Sequence, residues 1–375
     1  MSDTQHFSGI LFGVPEGETW HYRVVYRPTE SDIEHEQVSE DFTVTGGAPP
    51  ADLPVLSPTG EGPDDLLICF PLVNGLAFVV VDGKGRYRWW NLDNVKEDTY
   101  YSLRAELALD RESFNYTLSA RGFDKDSLFW KLGLDGKKER SFEVFNGSHD
   151  FVETPHGYAA LILDAQEQNG SVIKGDAIVE IDADGTQTQI YSTWDDFSPE
   201  NTGEKSETWS HANSLDYDAE QDRYLMGVRN FGSILAVNRE GELEWGFSGD
   251  ANTWNLDDSE RFTSQHQYYY QGDELTVYGN RWRGEDYTAV ARFLIDEETL
   301  SAQKVWSYNQ QFSSNGFGSV DKIEGYYLIS WGTEGNIELI TEDTQEQVLW
   351  IETQESIGYA SAFRYSKKGL QGYSP

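Results

Sequence analysis

One short motif, written six times, constrains this chain more than any other feature. A short apolar strand runs into an acidic or glycine-containing turn and returns as a strand bearing an aromatic. The copies are "LAFVVVDGKGRYRWW", "LFWKLGLDGKKERSF", "AIVEIDADGTQTQIY", "SILAVNREGELEW", "AVARFLIDEETLSAQKVW" and "NIELITEDTQEQVLW". In five of them the turn residue and the later aromatic stand seven apart: Asp82 and Trp89, Asp135 and Phe142, Asp184 and Tyr191, Asn238 and Trp245, Asp343 and Trp350. The fifth copy, Asp296 to Trp306, is stretched to ten. Each reads as a hairpin, with turn-forming residues at its tip. A second hairpin precedes most copies, as in "SHDFVETPHGYAALIL" and "GSVDKIEGYYLISW". Four antiparallel strands recurring about every fifty residues predict an all-β fold, a six-bladed β-propeller. The first blade lacks an innermost strand ahead of it. The C-terminal "IGYASAFRYS" is expected to supply that strand and close the ring.

The propeller is expected over residues 66–375, preceded by a Gly/Pro-rich linker at 48–65. Residues 1–47 hold "GETWHYRVVYR" and "SEDFTVT", which look like the last two strands of a β-sandwich-like, fibronectin-III-like segment. Two strands cannot stand alone, so they either dock on the propeller or belong with strands beyond this sequence. The formal net charge of −37, from 28 Lys plus Arg against 65 Asp plus Glu, argues against nucleic acid or an anionic membrane surface as the main partner. The apolar run "LVNGLAFVVV" is too short and too interrupted to span a bilayer. The start "MSDTQHFSGI" has neither a basic nor an apolar signal region, so no signal peptide is read there. The single cysteine, Cys69 in "LLICF", can form no intrachain disulfide and is expected as a small buried hydrophobe. Nothing in the sequence fixes an oligomeric state.

Only seven histidines are present, and three of them open the first strand of successive blades: His149, His211 and His266. First strands are innermost in a propeller, so these side chains are expected around one mouth of the central channel. The end of each partner strand lies at the same rim. That brings back Arg229 beside His211, and Asn280 and Arg281 beside His266. Period-2 alternation puts Asn213 on the face of His211. Trp89, Trp245, Trp306 and Trp350 are expected to pack between blades. His156, in the turn "TPHGY", is expected to be structural.

An imidazole can act as nucleophile, acid, base or metal ligand. A permanently charged guanidinium beside it favours an anion over a bound cation. Arginine and histidine donors around one nucleophilic histidine suit transfer of a sulfuryl or phosphoryl group, whose peripheral oxygens need stabilising in a loose transition state. No phosphate-binding loop, EF-hand or CxxC pair occurs, so a nucleotide donor is unsupported and no cofactor or metal is expected.

These residues resemble the bacterial PAPS-independent arylsulfotransferase (aryl-sulfate sulfotransferase) family. The likeness rests on "SHDF", on "WSHANSLDYDAEQDRYLMGVRNFGSILAVNREGELEWGFSG" and on "SQHQYYYQGDELTVYGN", and extends to "EDFTVTGGAPPADLP" and "SAFRY". It implies a six-bladed propeller with a sandwich-like N-terminal part. It also implies two-step sulfuryl transfer from a phenolic sulfate to a phenol acceptor, without a nucleotide. On matching positions His266 would be transiently sulfated, with His149, His211, Asn213 and Arg229 holding the sulfuryl oxygens. Asn280, Arg281 and Tyr268 would complete substrate binding. Gln267 stands where the family often has an acidic residue, and Tyr278-Gly279-Asn280 where it often has Asp-Asn-Gly. Family members are usually exported, which implies a periplasmic or secreted protein, whereas the start as read leaves the cytoplasm open.

Two rival classes fit the same residues. A propeller lyase on an acidic polysaccharide would use His, Arg and a tyrosine from Tyr268-Tyr269-Tyr270. A non-catalytic propeller would hold an anion or a metal at the rim.

Overall fold

The fold, a computed structural model, describes residues 9–29, 34–74, 77–92, 99–168, 170–199, 208–284, 287–310, 313–314, 316–366 and 369–372. The first eight residues, part of the start read for a signal, lie outside them. Each repeat forms the outer two strands of a blade, and the preceding hairpin forms the inner two. The second blade runs Tyr100–Leu107, Ser113–Ala120, Asp126–Gly133 and Lys138–Phe145. The third runs Gly147–Thr154, Gly157–Gln168, Ser171–Ile181 and Gln187–Ser192. The fourth is built from Ala212–Asp218, Arg223–Val228, Ser233–Asn238 and Leu243–Phe247. Phe262–Gln271, Glu274–Trp282, Ala289–Asp296 and Ser301–Tyr308 make the fifth. In all four, sequence neighbours pair antiparallel in order.

The turn Asp and Asn side chains act by hydrogen bonding. Asp82 Oδ1 accepts from the amides of Lys84 and Arg86 at 3.0 Å each, and Asn238 Oδ1 accepts from Glu242 at 2.9 Å. A side chain that satisfies turn amides in this way favours the tight reversal over an extended path.

Both chain ends contribute to the remaining blades. Leu66–Leu72, Ala77–Asp82 and Tyr87–Leu92 form the first blade, and Ser361–Ser366 adds on the inner side of Leu66–Leu72, with Gly369–Gly372 beyond it. The register sets Ser361 against Cys69 and Arg364 against Leu66. The ring is therefore closed by a strand from the C-terminal end, as the sequence leads one to expect. Cys69 is fully buried.

The sixth blade, Ser319–Ile323, Tyr326–Trp331, Asn336–Thr341 and Gln347–Glu352, carries a fifth strand, Ser57–Gly60, on its outer edge. That strand comes from the stretch read as linker. Pro58 has no amide to donate, and an edge position tolerates this.

The N-terminal strands pair as Thr19–Tyr22 with Phe42–Thr45 and Val25–Tyr26 with Gln37–Val38, giving two small two-stranded sheets. They are tied to the first blade. Phe12 packs with Trp89 and Phe114, Gly13 carbonyl accepts from Arg88 Nε, and the Arg88 guanidinium sits 5.2 Å from the Trp20 ring. Trp89, Trp245, Trp306 and Trp350 all pack against buried clusters between sheets.

Candidate active site

Two inner strands break their ladder at a histidine, and a third breaks it at Asn213, just past His211. Register shifts fall between Ser148 and Phe151, between Ala212 and Ser214, and between Gln265 and Gln267. His149 and His211 have φ of 44° and 54°, the left-handed region, which costs a residue with a Cβ about 1 kcal/mol or more. A bulge re-aims a side chain out of the period-2 pattern. Here His149 and His266 stand in such bulges, and with His211 they line a cavity of about 460 Å³. His149, His211, His266 and Arg229 all line it, and the His149 and His211 rings lie 4.9 Å apart between centroids. Arg229 follows the end of its strand in a short 3-10 turn, and its amide donates to the His211 carbonyl at 3.0 Å. The strand start and the partner-strand end do meet at one rim.

His266 is the most constrained of the three, 3% exposed. Asn280 Nδ2 donates to the carbonyls of Ser314 (2.9 Å) and Phe317 (3.3 Å), which leaves Oδ1 turned to His266 Nδ1 at 2.5 Å. An amide oxygen only accepts, so His266 Nδ1 carries the proton and Nε2 keeps its lone pair. Burial is the main cause lowering the His266 pKa to about 3, and the Arg229 and His211 charges add to it against the Asn280 bond. His211 is lowered to about 4 by burial and Arg229. His149 falls well below its ordinary value through burial and its charged neighbours. All three imidazoles are neutral at neutral pH, and Ser148 Oγ lies 2.6 Å from His149 Nδ1.

Not every expected residue reaches the cavity. Asn213 is fully buried behind it, its Nδ2 donating to the Gln265 carbonyl at 2.6 Å. The bulge between Ala212 and Ser214 is what breaks the alternation that would have put it beside His211. Instead it braces the bulge that carries His266. Asn280 contacts His266 rather than the cavity. Tyr268 points the other way along the strand, its hydroxyl donating to Leu225 carbonyl at 2.6 Å, and lines a second cavity of about 290 Å³ further along the channel. Arg281 is exposed and lies outside the histidine cavity.

An ion pair stands between the linings of the two cavities. Arg104 Nη1 donates to Asp150 Oδ1 and Oδ2 at 3.1 and 2.9 Å and to the Leu215 carbonyl at 3.2 Å. Asp150 follows His149 directly, so this ion pair also fixes the floor beneath the histidines.

The structure adds residues that the sequence reading passed over. Asp176, 1% exposed, lines the cavity and accepts from Ser210 Oγ at 2.5 Å and the Ala212 amide at 2.8 Å, the two residues flanking His211. Burial pushes its carboxyl up to about 7, partly offset by those two bonds. Its sequence signal is faint: it is one of two carboxylates, with Glu180, in the run "DAIVEI". Lys174, Tyr101, Phe123 and Phe317 complete the mouth. Among the described residues, no group of three or more His, Cys, Asp or Glu side chains is arranged to hold a metal ion.

Chemically, the cavity offers a neutral imidazole with a free lone pair, one guanidinium, two further imidazoles as donors, and aromatic walls. That combination suits an aromatic compound bearing a compact anionic group.

Comparison with known proteins agrees with this chemistry. Two curated relatives, the Arylsulfate sulfotransferase AssT of Lelliottia amnigena and that of Escherichia coli O6:H1 (strain CFT073), are each 20% identical, over 352 and 354 residues. Each match covers 69% of this chain and 58% of the relative, so the chain spans under two thirds of their length. A solved structure of a protein of unknown function from Bacteroides caccae matches with a TM-score of 0.51 at 10% identity, over 80% of this chain and 98% of that one, a likeness of fold alone. The family model described as Arylsulfotransferase (ASST) matches residues 71–365, the span of the propeller, and the chain belongs to that family.

Proposed function

We propose that this protein moves a sulfuryl group from an aryl sulfate to a phenol through a sulfated His266, without a nucleotide donor. The observation that carries the reading is the contact of His266 Nδ1 with Asn280 Oδ1, which assigns the proton to Nδ1 and leaves Nε2 with its lone pair in the cavity that Arg229 also lines. In the first step Nε2 attacks sulfur, an N–S bond forms, and the S–O bond to the aryl group breaks with its electron pair leaving on the phenolate. In the second, the acceptor oxygen attacks sulfur and the N–S electrons return to Nε2. The proton lost by the acceptor balances the one taken up by the released phenolate. Arg229, His149 and His211 hold the sulfuryl oxygens, and removing one such preorganised donor costs on the order of 10²–10³ in rate. Asn213 acts in this scheme by bracing the His266 bulge. A periplasmic or secreted setting is part of the proposal and rests on the family; no helix among the described residues is long and apolar enough to cross a membrane.

The test is mass spectrometry of protein quenched after mixing with an aryl sulfate alone. A sulfuryl adduct is expected on His266, acid-labile, lost when phenol is added, and missing from His266→Ala. Turnover with no adduct would replace the covalent path by direct transfer. No turnover with any aryl sulfate would sink the reading.

A further inference from the structure

We propose that Lys174 makes this cavity selective for phenols and aryl sulfates that carry a second anionic group, such as a carboxylate, on the ring. The proposal rests on the aryl-sulfate reading of the cavity and specifies its substrate.

The placement follows from register. Gly147 pairs with Ile162, so the hairpin of the third blade from Leu163 onward rises above the inner strand that carries His149. Asp176 pairs with Leu163 and Lys174 with Ala165, which sets Lys174 further out. Two residues along a strand share a face and lie about 7 Å apart. Asp176 is anchored to the residues flanking His211, and Lys174 therefore stands about the breadth of a substituted benzene ring from the histidines. The backbone there is held firmly. Trp209 amide donates to the Lys174 carbonyl at 3.1 Å, and the intervening Gly175 lies flat against Trp194, whose Nε1 would be only 2.6 Å from an added Cβ.

The Lys174 charge, like those of Lys125 and Lys304, has no carboxylate beside it among the described residues. In a chain with 65 carboxylates, Lys84, Lys131, Lys137 and Lys322 each pair with one or more. No carboxylate among the described residues pairs with Lys174. Its ammonium instead sits 5.3 Å from the centre of the Phe123 ring, a wall of the same mouth. At the same rim the Arg121 guanidinium stacks 4.2 Å from the Tyr101 ring, which also lines the cavity. An aryl ring between Tyr101, Phe123 and Phe317 would have Arg229 at its sulfuryl end and Lys174 at its far end. A protein of strongly negative charge repels anions at long range, so a second local cation is what lets a doubly charged substrate stay.

The test is calorimetric binding of 4-hydroxybenzoate and of its methyl ester at near-physiological salt and mildly alkaline pH, where the acid is ionised. The acid is expected to bind about 5-fold tighter, the upper range of a partly exposed charge pair. Lys174→Gln is expected to bring the ratio near one, and Lys174→Arg to keep it. Equal binding of acid and ester, a preference that survives Lys174→Gln, or no binding of either compound would overturn the proposal. Binding is read without turnover. A failure of sulfuryl transfer would therefore count against the catalytic reading alone, and equal binding with intact transfer against Lys174 alone.

Discussion

Burial, more than any single partner, keeps the His266 imidazole unprotonated, and the Arg229 charge pushes in the same direction. This has a measurable consequence. A free imidazole loses its nucleophilic lone pair to a proton near pH 6.5. With His266 lowered to about 3 and His211 to about 4, the rate with an aryl sulfate is expected to hold as pH falls through 6.5 and to drop only as pH approaches 4. A kcat/KM profile losing half its value near pH 6.5, and doing so in Asp176→Asn as well, would show that the nucleophile is not held as described. The same shifts bear on stability with a definite sign. The unfolded chain takes up these protons first, so the histidines withdraw stability as pH falls below 6.5. Asp176, raised to about 7, works oppositely, contributing stability at low pH that is lost as pH rises through 7. At this scale the sequence shows which residue types gather, because strand starts and partner ends share a rim whatever the side chains. It does not show Asn213 turning behind the cavity, nor Asp176 and Lys174 entering it. Both depend on bulges and on how far one hairpin outgrows its blade.

At the scale of the element, the bulges are where local preference yields to the site. Neither "SHDF" nor "SHAN" carries the glycine that would announce a left-handed residue, and histidine, though commoner there than most side chains, is not specific enough to signal one. The hairpins, by contrast, are legible because Asp and Asn at their turns write the reversal into the chain, and because the apolar runs repeat. Even Ser57–Gly60 follows this logic in hindsight: its proline masks it as linker, yet an outer edge asks for no donor at that position. The strain at His211 can be measured by separating backbone from side chain. His211→Ala and His211→Gly both remove the imidazole, and under the proposed scheme both should slow sulfuryl transfer by on the order of 10²–10³. Only glycine, however, accepts φ of 54° without penalty. His211→Gly is therefore expected to be more stable than His211→Ala by about 1 kcal/mol in denaturant unfolding. Alanine matching or exceeding glycine would show that this backbone conformation carries no strain.

For the whole molecule, the decisive contacts are the two that join the ends of the chain, Ser57–Gly60 on the sixth blade and Ser361–Ser366 on the first. A propeller blade packs on its two neighbours, and an open ring would leave the first and last faces wet. Ser361–Ser366 prevents this by pairing with Leu66–Leu72, more than 290 positions earlier in the sequence. Its Phe363, 1% exposed, enters the cluster of Leu67, Phe78 and Phe114 between the first and second blades. The histidines stand on the third, fourth and fifth blades, away from this seam. The closing strand should therefore govern stability without shaping the chemistry. Phe363→Ala removes a fully packed aromatic and is expected to cost about 3–5 kcal/mol. Because every blade leans on the ring, the loss should appear as one cooperative transition moved to lower temperature, with near- and far-ultraviolet circular dichroism melting together. Below that transition the variant is expected to match the parent in the aryl-sulfate assays that test the proposed function. Two separated transitions would show that the blades fold in independent groups and that closure is local. An unchanged melt would show that the C-terminal strand does not hold the ring shut.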